Sequence, residues 1–156
     1  MNQSNTHCPM CERVALLLQK EGHPFLIHEF QHSVFVVGDH QFFRGYSMLL
    51  FKEHVRELHE LEPIVHSALF TELMVAGRAI ADTVQPWKMN YSCYGNVVPH
   101  IHWHLFPRYA SEPDREQVPW YHADKFEKHL IDESAAQQLA TQIRSNLIFP
   151  SLERIS

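Results

Sequence analysis

Val98-Pro99-His100-Ile101-His102-Trp103-His104-Leu105-Phe106-Pro107-Arg108 is the stretch on which the fold of this chain turns. Side chains alternate faces along a β-strand, so His100, His102 and His104 share one face while Ile101, Trp103 and Leu105 share the other. The apolar set needs a core behind it. The histidine set gathers its ring nitrogens within about 14 Å of strand, at ~3.4 Å per residue. Imidazoles repeated on one face and backed by strict apolar alternation indicate a chemical site rather than a solvated surface.

Outward from this strand, residues 88–94 form its expected partner, joined to it at Gly95-Asn96, a dipeptide that favours tight hairpins. Upstream, residues 25–30, 33–37 and 46–51 read as strands, with Gly38-Asp39-His40 as a turn. Residues 11–19 read as a short helix that stops near Gly22 and Pro24. The longest helix starts at Glu62-Pro63, carries Val65, Leu69, Leu73, Ala76 and Ile80 on one face, and ends before Pro86. Ser134 is the expected cap of a last helix over 135–147, with Leu139, Ile143 and Leu147 on its inner side. Neighbouring strands with short links and helices at the ends predict an α+β fold, an antiparallel sheet of about five strands with helices packed at one face and the ends.

The chain has 156 residues, 45% of them hydrophobic and 20% charged. That is one domain's worth, since domains run to roughly 100–200 residues. Its net charge of −5 offers no basic stripe for nucleic acid. The N-terminal residues lack an apolar signal core, and no apolar run approaches the ~18 residues that span a bilayer. With three cysteines, too few for a disulfide framework, the expectation is a soluble, cytoplasmic protein without nucleic-acid or membrane partners. Histidines are as numerous as lysines and arginines together, 13 of each, and that balance points to metal binding or proton chemistry.

Two kinds of chemistry suit the three histidines. They can hold a catalytic metal with an open position for water. Alternatively, one imidazole is a nucleophile toward phosphorus, its other ring nitrogen tied to an acceptor that fixes the tautomer. The run His-x-His-x-His followed by two apolar residues resembles the motif of the histidine triad family of nucleotide hydrolases and transferases. The likeness extends to Gly38-Asp39-His40-Gln41, to Gly45 through His54, and to Lys88-Met89-Asn90-Tyr91 through Gly95-Asn96, and covers roughly Cys8 to Arg108. It implies a small α+β fold, a homodimer, and cleavage of nucleoside phosphoanhydrides or phosphoramidates.

Carried over residue by residue, the resemblance makes His102 the nucleophile, which would attack the α-phosphorus and form a nucleotidyl-histidine. His104 would contact phosphate oxygens or the leaving group, and His100 completes the catalytic set. Asp39 matches the position that touches ribose hydroxyls, and Asn96 stands near the polar substrate-binding residue of the loop before the triad. Tyr46 departs from the pattern, standing where the family often has a histidine. Lys52 and Arg108 either neutralise a polyphosphate or are solvated surface charges.

Cys8-Pro-Met-Cys11 has the spacing of a zinc knuckle, in which a short loop lets two thiolates converge on one ion. With no second cysteine pair, histidines must complete the set. Some bacterial triad proteins and hexose-phosphate uridylyltransferases look similar here, and the resemblance implies a structural zinc on Cys8, Cys11, His54 and His100. His28, His59 and His66 match less well by position, and Cys93 reads as a small buried residue.

The expected organisation is residues 1–110 as the triad domain with its N-terminal zinc knuckle, and 111–156 as a C-terminal loop and helix packed on it. Trp120, Tyr121 and His122 in the latter either close over a base or pack on the domain. The function expected is hydrolysis of a dinucleoside polyphosphate such as diadenosine tetraphosphate, or of a related adenylylated compound. The alternatives are a nucleotidyltransferase or phosphoramidase of the same fold, and a zinc-stabilised nucleotide-binding module with little turnover.

Overall fold

The structure, a computed structural model, describes residues 7–19 and 21–150. Its elements are α1 (Pro9–Gln19), β1 (Leu26–Glu29), β2 (Ser33–Val37), β3 (Ser47–Phe51), α2 (Pro63–Val84), β4 (Lys88–Ser92), β5 (His102–Arg108) and α3 (Glu133–Arg144). The strands form one antiparallel sheet in the order β1-β2-β3-β5-β4. This is the α+β fold with an antiparallel five-stranded sheet. β5 therefore lies between β3 and β4, and the histidine-bearing strand is held on both edges.

Both faces of the sheet are covered, whereas helices at one face and the ends were expected. α2 and α3 close one face over Phe35, Val37, Leu49, Phe51 and Leu105. On the other face α1 brings Met10, Val14 and Leu17 onto Val34, Val36, Met48 and Leu50. Double coverage explains why every residue of β2 and β3 is buried, although antiparallel strands often leave one face to water.

Helix limits follow local chemistry. α1 opens on Pro9, whose missing N–H costs nothing in a first turn. α2 starts at Pro63 and stops where Gln85 turns left-handed (φ 49°) ahead of Pro86. α2 is the described helix long and apolar enough to cross a membrane. Here its apolar side lies on the sheet, and its buried Glu72 accepts from Ser33 Oγ (2.5 Å) and His32 N (2.8 Å), tying it to β2. α3 is capped by Asp132, which accepts from Ala135 N at 2.8 Å, instead of by Ser134. Asp132 stands at the half-in position from which a side chain reaches the third helical N–H.

The larger correction concerns the expected hairpin. β4 ends at Ser92 and β5 begins at His102, and Ser92 pairs with His104. That register leaves residues 93–101 as a loop, with Gly95 at φ 69° and Ile101 N donating to Val55 O at 2.9 Å. His100 is thus on the loop and off the strand. Beyond β5, two 3-10 turns over Pro119–His129, kinked at His122, cross back over the α1 face. Gln41 N donates to His129 O (2.8 Å) and Ile131 N to Asp39 O (3.0 Å), which fastens this crossing to the end of β2.

Candidate functional site

β5 aims His102, His104 and Phe106 at the α1 face, while Leu105 is buried on the α2 face with Trp103 half-buried beside it. His102 and His104 line a cleft of about 500 Å³ with Tyr94, Asn96, Val98, Val118 and Trp120. Their rings lie 5.0 Å apart at 73°. His102 Nδ1 faces the carbonyl oxygen of His100 at 2.6 Å. A carbonyl only accepts, so Nδ1 carries the proton and Nε2 keeps its lone pair. His104 Nδ1 meets Tyr46 Oη at 2.7 Å. Burial, helped by His102 and His40, pushes the His104 pKa down to about 3, so its ring is neutral at ordinary pH.

The loop turns His100 the other way, fully buried, toward the N-terminal cysteines. Its Nε2 donates to Phe51 O at 2.7 Å, leaving the Nδ1 lone pair pointed at Cys8 Sγ (3.6 Å) and Cys11 Sγ (3.5 Å). His54 Nδ1 lies 3.5 Å from Cys11 Sγ. A tetrahedral zinc, with bonds of about 2.3 Å to sulfur and 2.0–2.1 Å to nitrogen, sets S···N edges of about 3.6 Å. The four donor atoms all lie within 4.8 Å of one another, so the set fits such an ion. Without a cation, burial and the neighbouring Cys8 push the Cys11 thiol up to about 11. The weaker ligand candidates fall elsewhere: His59 and His66 line a depression on the α2 side, and His28 packs against Phe30 and Phe149.

The other residues singled out in the sequence separate. Asn96 lines the cleft. Asp39 accepts from Arg13 Nη1 and Nη2 (2.7 and 2.6 Å) and lines a different depression with Glu12, Leu16 and His23. Lys52 pairs with Glu29 at 2.7 Å. Arg108 is buried, not offered to a phosphate: it binds Asn90 Oδ1, Glu112 and the carbonyls of Arg115 and Gln117, and so clamps the loop after β5. Of the C-terminal aromatics, Trp120 borders the cleft edge-on to His104 at 4.9 Å, His122 is buried by Phe42 and Phe43, and Tyr121 is exposed.

The family model described as HIT domain matches residues 19–111, more than half of the chain. The chain belongs to the HIT domain family. The curated proteins contain no match to it. Its fold is similar to a histidine triad protein from Sinorhizobium meliloti 1021, with 20% identity over 79% of this chain and 89% of that one, at a TM-score of 0.67. A hypothetical histidine triad nucleotide-binding protein from Sulfolobus tokodaii aligns at 17% identity over 90% and 91%, with a TM-score of 0.68. A Zn-bound histidine triad family protein from Mycobacterium smegmatis aligns at 19% identity over 91% and 94%, with a TM-score of 0.63.

In this HIT protein an aromatic stack supports the cleft, and sequence reasoning did not find it. His40 lies between Phe126 (3.9 Å, 12°) and Tyr46 (4.4 Å, 20°), and Tyr46 continues onto Phe106 (4.5 Å, 7°). The spacing of Phe126 from His40 in the chain hid the contact. His40 Nδ1 is buried with no hydrogen-bond partner among the described residues, and burial pushes the ring's pKa down to about 4. The folded protein thus holds His40 neutral, while the unfolded chain takes up a proton below about 6.5. Stability from this ring is full above that pH and is lost as pH falls toward 4. His40→Phe, which keeps the stack and removes the orphaned nitrogen, should raise Tm more at about pH 5 than at about pH 8. Equal shifts at both pH values in thermal melts would refute the protonation argument.

Proposed function

We propose that this chain is a nucleotide hydrolase that cleaves a phosphoanhydride through a nucleotidyl-histidine on His102. A dinucleoside polyphosphate such as diadenosine tetraphosphate, or a related adenylylated compound, is the substrate class. One observation carries the reading: His102 Nδ1 is committed to the His100 carbonyl, so the lone pair on Nε2 is available on the cleft side. The description of the Sulfolobus tokodaii neighbour as nucleotide-binding supports it.

In this reading Nε2 of His102 attacks phosphorus, a P–N bond forms, and the P–O bond to the leaving phosphate breaks with its electron pair. That leaving group is a stabilised anion. Water then attacks phosphorus, the P–N bond breaks, the imidazole regains its lone pair and the water's proton passes to solvent. His104 contacts phosphate oxygens or the leaving group from the same face, with Asn96 at the rim. Another acceptor in place of water would make the protein a nucleotidyltransferase, and an amine leaving group a phosphoramidase.

Cys8, Cys11, His54 and His100 would hold zinc, whose contribution there is a structural crosslink with every tetrahedral position taken by protein. The Zn-bound Mycobacterium smegmatis neighbour supports the metal. A reducing, cytoplasmic setting suits the free thiols of Cys8 and Cys11. The homodimer expected from the family has a suitable surface in edge strand β4 and the exposed Phe70, Met74, Trp87 and Tyr91. The net charge of −5 supports a small-molecule partner rather than nucleic acid or a membrane surface.

His102→Ala should lower turnover of diadenosine tetraphosphate at least about a thousandfold, roughly 4 kcal/mol of barrier, with nucleotide binding retained. Acid quench of labelled substrate should trap an adduct on the wild type and none on the variant. Retention of more than a few per cent of turnover rules out the covalent route.

Cys8→Ser should lower both zinc content and Tm while the adduct still forms. A metal that persists in Cys8→Ser but leaves with His102→Ala would instead favour metal catalysis. Asp39 would meet ribose hydroxyls with the carboxylate lone pairs that Arg13 leaves open. Asp39→Ala should then weaken ribonucleotides more than their 2′,3′-dideoxy analogues, measured by calorimetry, and equal weakening of both would confine Asp39 to its pairing with Arg13.

A further inference from the structure

Tyr46 meets His104 in a geometry that a packing role does not require. The two rings are parallel within 10°, with centroids 6.0 Å apart, and Oη stands 2.7 Å from Nδ1. The hydroxyl thus lies within hydrogen-bond reach of Nδ1, the ring nitrogen that has a lone pair when the proton is on Nε2. Tyr46 is 3% exposed and is clamped between His40 and Phe106. Gly38 makes this placement possible: a Cβ there would overlap the Tyr46 ring, and Gly38 N donates to Tyr46 O at 2.9 Å.

The direction of the hydrogen bond follows from satisfaction of the buried groups. Tyr46 Oη has no other partner among the described residues. If Nδ1 carried the proton and donated, the phenol hydrogen would be buried without an acceptor, at the cost of an unmade hydrogen bond. Burial also pushes the Tyr46 phenol up, so it keeps its proton. The arrangement that satisfies both groups has Oη–H donating to Nδ1, which puts the His104 proton on Nε2.

We propose that Tyr46 is a positioning residue that locks His104 in the Nε2–H tautomer, so that the ring presents a hydrogen-bond donor to the cleft it shares with His102. Neighbouring imidazoles thereby take opposite parts. His102, protonated on Nδ1 by its carbonyl partner, offers a lone pair to phosphorus. His104, accepting at Nδ1, offers an N–H to the oxygens that gain charge as the P–N bond forms. This assignment rests on the hydrolase reading for its catalytic half and on geometry alone for the tautomer.

The test is Tyr46→Phe, which keeps the stacked ring and deletes the hydroxyl. Long-range ¹H–¹⁵N spectra of the zinc-loaded protein at neutral pH should show wild-type His104 with an unprotonated Nδ1 and a protonated Nε2. In the variant those signals should move toward a mixture of tautomers. With diadenosine tetraphosphate, kcat should fall roughly tenfold while KM stays within about twofold. An Nδ1–H tautomer in the wild type overturns the assignment, and this spectrum decides even if the variant fails to fold. A change in kcat without a change in tautomer, or the reverse, also overturns it. A wild type with the Nε2–H tautomer but no turnover of any nucleotide would sink the hydrolase reading and uphold the lock.

Discussion

The hydrogen bond from His102 Nδ1 to the carbonyl oxygen of its neighbour His100 organises the rest of the molecule. It needs the chain to bend just before β5, so that the His100 carbonyl turns back toward the ring two residues on. That bend removes His100 from the strand and swings its side chain to Cys8, just before α1, and Cys11, within it. The Phe51 carbonyl receives the other His100 nitrogen and fixes the swing from β3. A cation on the cysteine–histidine set would therefore hold the same peptide that orients His102, joining the cluster to the His102 ring through one residue.

Burying imidazoles on the floor of a cleft is unfavourable unless each stays neutral and each nitrogen is accounted for. Oxygens do this for the three motif histidines: two backbone carbonyls and one phenol. Aromatic faces do the remainder, since Phe106, Tyr46 and His40 exclude water without competing for hydrogen bonds. His40 is the exception, and its ring is sandwiched between Phe126 and Tyr46.

Much of this was legible in the sequence where local rules decide. The run Ser33–Val37, the Pro63 start of α2 and the alternation of His102, Trp103 and His104 have physical meanings that need no partner. Cys8 and Cys11 with His54 and His100 were found through likeness to relatives, and the fold brings them together. What escaped depends on partners distant in the chain. Gly95-Asn96 has hairpin chemistry, but the pairing of Ser92 with His104 dictates a longer loop. The pairing of Asp39 with Arg13 was not legible because Arg13 lies on another element. Gly38 read as a turn residue when its role is to make room for a ring, and the partnership of Tyr46 with His104 spans 58 positions.

The crossing segment has a consequence for synthesis. Trp120 supplies one wall of the cleft, Phe126 backs the stack beneath it, and the backbone of residues 129–131 is stitched to residues 39–41. These are among the most sequence-distant contacts that the site uses, and such contacts form late because loop closure precedes any gain from them. A chain leaving the ribosome has its triad strand well before it has its cleft. Until residues 119–131 have joined the fold, His102 and His104 lack the Trp120 wall and the His40 ring lacks Phe126.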